Sequence, residues 1–295
     1  MRRTLDSVAA QSLPPARMLV VDDGSTDGTP AILADYAARL PFLTVVTRAD
    51  RGKRSVGPGV IEAFNTGLET LDLDQYDYLC KLDLDLDLPP RYFETLIERM
   101  EADPRLGTTS GKPYYHDAAG ALVPETISDE MSVGASKFYR TQCFREIGGF
   151  VRQIMWDGID CHRARMLGWK AESVDVEPLR FLHLRPMGSS QKGGLWAGRV
   201  RTGYGQYFMG TTPVFFLASV AFRLFKAPVL YGSAAMLWGY VSSAVRGVPR
   251  YDEPGFRPFL RRYQWQCLLR GKREATRRTE AAQDAVWRQT HPAAG

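Results

Sequence analysis

Cysteine is scarce in this chain. Its four residues, Cys80, Cys143, Cys161 and Cys267, stand far apart and form no CxxC pair. That excludes a disulfide framework and a zinc knuckle, and it fits a reducing compartment. The basic start MRRTLDSVAAQSL has no apolar run behind it, so it does not read as a secretory signal. Glycine and proline show no collagen-like or linker-like period, and no repeat of roughly 20 to 50 residues is present. What is there is a globular composition: 295 residues, 44% of them hydrophobic, enough to bury one substantial core.

The net charge of +5 is unevenly placed. Residues 250–278 hold nine Arg and Lys against Asp252, Glu253 and Glu274, which leaves the remainder near neutrality. A basic stretch behind an apolar one fits an anionic membrane surface better than a nucleic-acid groove, and no nucleic-acid partner is expected. The apolar stretch is PVFFLASVAFRLF from Pro213, then VLYGSAAMLWGYVSSAV, with 17 uncharged residues from Val229 to Val245. A bilayer span needs about 17 to 25. Helices lying in the membrane interface are the favoured expectation, with a true span and a buried hairpin as alternatives. The implied division is a catalytic domain over 1–205, an apolar helical segment over 206–248 and a basic tail over 249–295.

The first two-thirds alternates short apolar runs with amphipathic helical patterns, the signature of a mainly parallel α/β sheet flanked by helices. A helix is expected near 2–11. RMLVVDD then reads as a strand, Thr29-Pro30 as the start of a helix through Leu40, and LTVVT as a second strand. RADRGKRSVGPG is too polar and glycine-rich for a regular element. Beyond it come a helix through Ala63 and Leu68, the strand YDYLCKLD, a helix after Pro89-Pro90, a less regular region to about Tyr139, and a short helix in TQCFREIGG.

Two acidic constellations carry the chemistry. Asp22 and Asp23 end an apolar strand and precede GSTDGT, a turn that opens a helix. In doubly wound sheets that is where ligands bind, and carboxylates there can accept hydrogen bonds from a base N–H or a ribose hydroxyl. The plain alternative is an Asx turn with a helix cap. In KLDLDLDLPP, Asp83, Asp85 and Asp87 alternate, so an extended strand would bring all three to one face. Three close carboxylates repel unless a cation sits among them, and Mg²⁺ or Mn²⁺ would suit oxygen ligands and bind a diphosphate.

VVDDGSTDGT, GKRSVGPGVIEAFNTGLE, KLDLDLDLPP and IGGF...WDGIDCHRARMLGWK occur in the order seen in family 2 glycosyltransferases, which this chain resembles over about residues 1–200. The resemblance implies a GT-A, Rossmann-like fold. It also implies inverting transfer from a nucleotide sugar, UDP- or GDP-linked, to a glycan or lipid-linked acceptor, and the apolar and basic C-terminal stretches lead to the expectation that the chain sits on the cytoplasmic face of a membrane. It assigns Asp22 and Asp23 to the nucleotide, Asp83 and Asp85 to the DxD motif with Asp85 the direct metal ligand, and Lys53 to the nucleotide loop. Asp157 is the implied catalytic base and Asp160, one turn on, its competitor; Trp156 replaces the family's usual Glu. His183 falls where some relatives place a histidine near the metal and diphosphate, and Arg185 is a candidate phosphate partner or a surface arginine.

The rivals are a sugar-phosphate nucleotidyltransferase, whose glycine-rich basic N-terminal signature is absent, and an inactive membrane-associated scaffold of the same fold. One departure remains. Relatives carry a strand of the type VSVVIPTYN ahead of the first helix, between the strands ending in DDGS and DxD, whereas this chain begins at the helix. A gap or a substitute strand is therefore expected between those two strands.

Overall fold

The computed structural model describes residues 1–52, 55, 57–185, 194–224 and 230–292. They fall into two compact units, residues 1–152 with 171–186, and residues 153–170 with 187–295.

The first unit opens with α1 (Arg2–Ala9), β1 (Met18–Asp22), α2 (Thr29–Arg39), β2 (Leu43–Thr47) and α3 (Pro58–Leu68). It continues through β3 (Tyr78–Leu82), the two-residue β4 (Leu86–Asp87), α4 (Tyr92–Ala102), β5 (Leu106–His116), β6 (Leu122–Pro124), β7 (Ser136–Arg140) and α5 (Thr141–Glu146). After α6 (Trp156–Met166), which belongs to the second unit, β8 (Lys170–Val174) leads to β9 (Arg180–His183).

The α/β class holds, but the expected mainly parallel sheet does not. β1 and β2 pair in parallel as a two-stranded sheet. The larger sheet runs β3-β7-β5-β9-β4, with β6 and β8 also on β5. Within it β5 and β9 are parallel, whereas β3/β7, β5/β7, β4/β9 and β5/β6 are antiparallel. The reason is local: after β5 no helix carries the chain across the sheet, so it reverses at once through a turn over 117–120, with Gly120 at φ +80°, and pairs with itself.

β1 and β3 lie in different sheets, as expected for these two strands, and α1 is stitched to both regions. Leu5 packs with Val20, Leu33, Tyr36 and Leu43, while Val8 joins the cluster of Leu86, Leu96 and Met100. Polar contacts reinforce this. Thr4 Oγ1 accepts the Leu86 N–H (3.2 Å), Gln11 Nε2 donates to the Pro89 carbonyl (2.8 Å), and Gln11 Oε1 accepts the Phe93 N–H (3.2 Å). The acid-bearing loop after β3 is thus anchored on one side by α1.

The second unit holds α6, α7 (Gly194–Met209), α8 (Pro213–Arg223), α9 (Tyr231–Val245), α10 (Phe256–Arg270), α11 (Lys272–Ala282) and α12 (Asp284–Thr290). α7 and α9 approach through glycines: a Cβ on Gly203 would meet the Met236 carbonyl oxygen at 2.0 Å, and one on Gly239 the Val200 carbonyl oxygen at 2.0 Å. Tyr207, Phe216, Val220, Met236 and Tyr240 fill the core they enclose with α8. The basic C-terminal stretch is folded as α10–α12. No helix among the described residues is long and apolar enough to cross a membrane.

Candidate active site

At the carboxyl end of β1 the chain turns at Gly24, φ +79°, where an added Cβ would lie 2.4 Å from Asp50 Cα. Only glycine relieves both the left-handed backbone and that approach. The turn buries Asp22: its Oδ1 accepts the Ser25 N–H (3.0 Å), and its Oδ2 is buried with no hydrogen-bond partner among the described residues. An unmatched buried carboxylate oxygen is costly, so this atom is an acceptor awaiting a donor. Asp23 is held between two guanidiniums, with Arg48 Nη1 at 3.0 Å on one oxygen and Arg51 Nη2 on the other. Arg51 also pairs with Glu62, which takes a second contact from Arg152 Nε at 3.0 Å. Lys53 lies outside the described residues. Arg48 and Arg51 are the basic residues around that loop that the structure places on Asp23; the run RADRGKR was the available signal.

The three alternating acids do not lie on one continuous strand. β3 ends at Leu82, a turn covers Leu84 and Asp85, and β4 starts afresh at Leu86, so the strand periodicity that would align them is interrupted. Each acid has its own cation. Asp83 pairs with the buried Lys81, whose Nζ also donates to the Gly134 carbonyl (2.8 Å), and Asp87 pairs with Arg3 (2.6 Å). Asp85 Oδ2 takes both Arg185 Nη2 (2.8 Å) and Nε (3.1 Å). The mutual repulsion that pointed to a metal is therefore already offset by the protein's own cations.

Asp85 nonetheless meets His183 at the end of β9. Pairing of Leu86 with His183 and the Leu184 N–H donated to the Asp85 carbonyl (2.8 Å) fix the two backbones together. His183 is 6% exposed, with Nε2 3.7 Å from Asp85 Oδ1 and Nδ1 2.9 Å from Glu125 Oε1. Burial pushes the imidazole pKa down, but the Glu125 hydrogen bond and charge, with Asp85 and Asp83 behind them, outweigh it and leave the pKa raised. Glu125 was not legible in the sequence: it follows an exposed three-residue strand and sits 58 residues from its partner.

Among the described residues no group of three or more His, Cys, Asp or Glu is arranged to hold a metal ion. Two donors do fit one. A carboxylate oxygen and an imidazole nitrogen sharing a divalent ion at about 2.1 Å each lie roughly 3 to 4 Å apart, and Mg²⁺ usually takes one or two protein carboxylates and fills its shell with water and phosphate. A carboxylate on the far ring nitrogen is the usual way a metal-binding histidine is oriented.

Asp157 and Asp160 lie on α6, in the second unit. Met155, with a left-handed φ of +68°, starts that helix and accepts the Gly158 and Ile159 N–H groups at 3.0 and 2.9 Å. Asp157 stands in the first turn, half-buried; Asp160 is buried, and its Oδ1 accepts the Cys161 N–H (2.6 Å). The sites of the first unit thus bring together Asp22 with its turn, Asp23 with Arg48 and Arg51, and Asp85 with His183, Arg185 and Glu125.

The sequence profile described as Glycosyl transferase family 2 matches residues 1–152. The poly-beta-1,6-N-acetyl-D-glucosamine synthase of Staphylococcus aureus (strain COL) is 25% identical over 225 residues, covering 68% of this chain and 50% of the synthase. The synthase of the same name from Staphylococcus epidermidis is 24% identical over 227 residues with the same coverage. This chain therefore spans about half the length of these relatives. Among solved structures, the mannosyltransferase PcManGT from Pyrobaculum calidifontis, in complex with GDP-Man and Mn²⁺, superposes with a TM-score of 0.50 at 18% identity, over 96% of this chain and 82% of that one. At that identity the likeness speaks to the fold.

Proposed function

The chain belongs to glycosyl transferase family 2, and from that premise we propose that it transfers a sugar, with inversion, from a UDP- or GDP-sugar to a hydroxyl of a glycan or lipid-linked acceptor. The observation that carries the reading is the meeting of Asp85, His183 and Arg185 at the ends of neighbouring segments of one sheet.

In this reading the buried Asp22 Oδ2 accepts a base N–H or ribose hydroxyl, and Asp23, oriented by Arg48 and Arg51, makes the neighbouring contact. Asp85 and His183 would hold Mg²⁺ or Mn²⁺, which when bound offsets negative charge on a diphosphate. The Pyrobaculum enzyme, described with GDP-Man and Mn²⁺, supports this choice of ligands. Arg185, now turned onto Asp85, is the bidentate donor for phosphate oxygens. Asp157 takes the proton of the acceptor hydroxyl as that oxygen attacks the anomeric carbon and the bond to the diphosphate breaks; Asp160 is the alternative base. The reaction takes place on the cytoplasmic face of a membrane, with the C-terminal helices in contact with its surface.

A panel of nucleotide sugars incubated with the full chain and Mg²⁺ or Mn²⁺ tests the proposal. Release of nucleoside diphosphate supports it. Pyrophosphate-dependent formation of a nucleoside triphosphate identifies a nucleotidyltransferase, and no turnover of any donor points to the scaffold.

A further inference from the structure

The helices α8 and α9 turn their buried sides to each other and to α7, through Phe216, Val220, Met236 and Tyr240. Their outward sides are unusual for a protein surface. On α8 the exposed stripe is Pro213, Val214, Leu217, Ala218, Ala221 and Phe222, without one polar side chain. On α9 it is Tyr231, Ala234, Leu237, Trp238, Val241 and Val245. The spacing of three and four places each set along one line of its helix. Phe222 is 69% exposed, Trp238 58% and Val245 82%. Contiguous apolar surface of this kind marks a contact with a partner or a membrane.

We propose that these two stripes form a docking face for an anionic lipid surface, with α8 and α9 lying in the plane of the interface. The proposal rests on the membrane-surface reading above and names the residues and lipid class that serve it. Charge decides the occupant. The unit that carries α8 and α9 contains 19 Arg and Lys against seven Asp and Glu, a surplus of 12, whereas the other unit is net acidic. A second copy docked on this face would bring together two units that each carry this cationic surplus, while an anionic bilayer is attracted to one.

Exposed arginines stand at the ends of the stripes, Arg223 closing α8 and Arg246 capping α9, where a long side chain can lie along apolar surface and keep its charge in water. Aromatic groups with a polar tip gather at the other end of α9, where Tyr231 packs on Trp196 at 5.0 Å between ring centroids. Such residues favour the headgroup level. Length sets the orientation: α8 has 11 residues and α9 has 15, short of the about 20 that cross a bilayer.

The test is flotation of the full chain with vesicles of phosphatidylglycerol in phosphatidylcholine, beside phosphatidylcholine alone, for the wild type and the double variant Phe222→Ser/Trp238→Ser. Each buried large side chain is worth about tenfold in partition, so the double variant should bind about a hundredfold more weakly. Binding of the wild type should weaken in high salt. An unchanged thermal melt and unchanged donor turnover in solution show that the variant is folded. Equal flotation of variant and wild type overturns the docking face while leaving the membrane reading intact. Wild type that binds neither vesicle overturns both. Equal binding to the two lipids overturns the anionic choice, and a wild-type dimer that the substitutions convert to monomer assigns the face to a second copy. Donor turnover is scored separately, so none of these outcomes is confused with failure of the glycosyltransferase reading.

Discussion

Replacing Glu125 by Gln keeps the shape of the side chain and removes its charge from the His183 Nδ1 contact at 2.9 Å. A hydrogen bond to a charged group contributes about 1.5 to 3 kcal/mol net, a neutral one about 1. The difference, on the order of 1 to 1.5 kcal/mol, corresponds to about tenfold in the affinity of a ligand that needs His183 held with Nε2 toward Asp85. That lies at the lower edge of the about 10- to 100-fold typical of outer partners of metal-binding histidines. Titration with Mn²⁺ read by electron paramagnetic resonance, with nucleoside diphosphate present, measures it directly. Glu125→Gln should bind Mn²⁺ about tenfold more weakly than wild type, with its melting temperature in the absence of metal nearly unchanged. Affinity within twofold of wild type in a folded variant refutes the positioning role. A wild type that binds no Mn²⁺ refutes the two-donor site itself.

Asp157→Asn should retain donor binding and lower turnover by about 10² or more, the usual contribution of a general base; unchanged kcat moves the role to Asp160 or elsewhere. Arg51→Ala leaves Asp23 with Arg48 as its cation among the described residues, and the loss of a charge-assisted contact at this carboxylate should weaken donor binding by about tenfold, measured by calorimetry with the free nucleoside diphosphate. Gly203→Ala would put a methyl group 2.0 Å from the Met236 carbonyl oxygen, so the helices must separate. Overpacking of this kind costs about 1 to 3 kcal/mol, and a melt should show a fall of several degrees; an unchanged melting temperature would mean that α7 and α9 do not pack through these glycines.

The residues explain which features were readable beforehand. β1, β2, α2 and α3 follow apolar runs bounded by turn residues, so LTVVT marked β2 to the residue. β5 was hidden because its buried positions include polar residues, of which Thr108, Ser110 and Lys112 are satisfied by specific side-chain contacts rather than by burial of carbon. Thr108 meets Ser132 at 2.9 Å, Ser110 Oγ accepts the Val133 N–H at 2.8 Å, and Lys112 Nζ donates to the Ile127 carbonyl at 3.0 Å. A hydropathy pattern cannot reveal such partners. The same limit applies at the site. Asp22, Asp23 and Asp85 were marked by their place after apolar strands, but the turn at Leu84–Asp85 that separates the acids depends on pairing with β9, about 100 residues away. Glu125 and the cations on Asp83, Asp85 and Asp87 come together only through the pairings of the mixed sheet and the docking of α1, long-range contacts that leave no local signature even though the helix itself was legible.

Sugar transfer assisted by a metal at Asp85 can be followed directly by phosphorus NMR of a UDP- or GDP-sugar during turnover in the presence of Mg²⁺, for the wild type and Asp85→Ala. The sugar diphosphate signals should give way to those of a nucleoside diphosphate, and excess chelator or the Asp85 substitution should largely abolish the change. Conversion at an undiminished rate in chelator or in Asp85→Ala, or the appearance of a nucleoside triphosphate only when pyrophosphate is added, would contradict it.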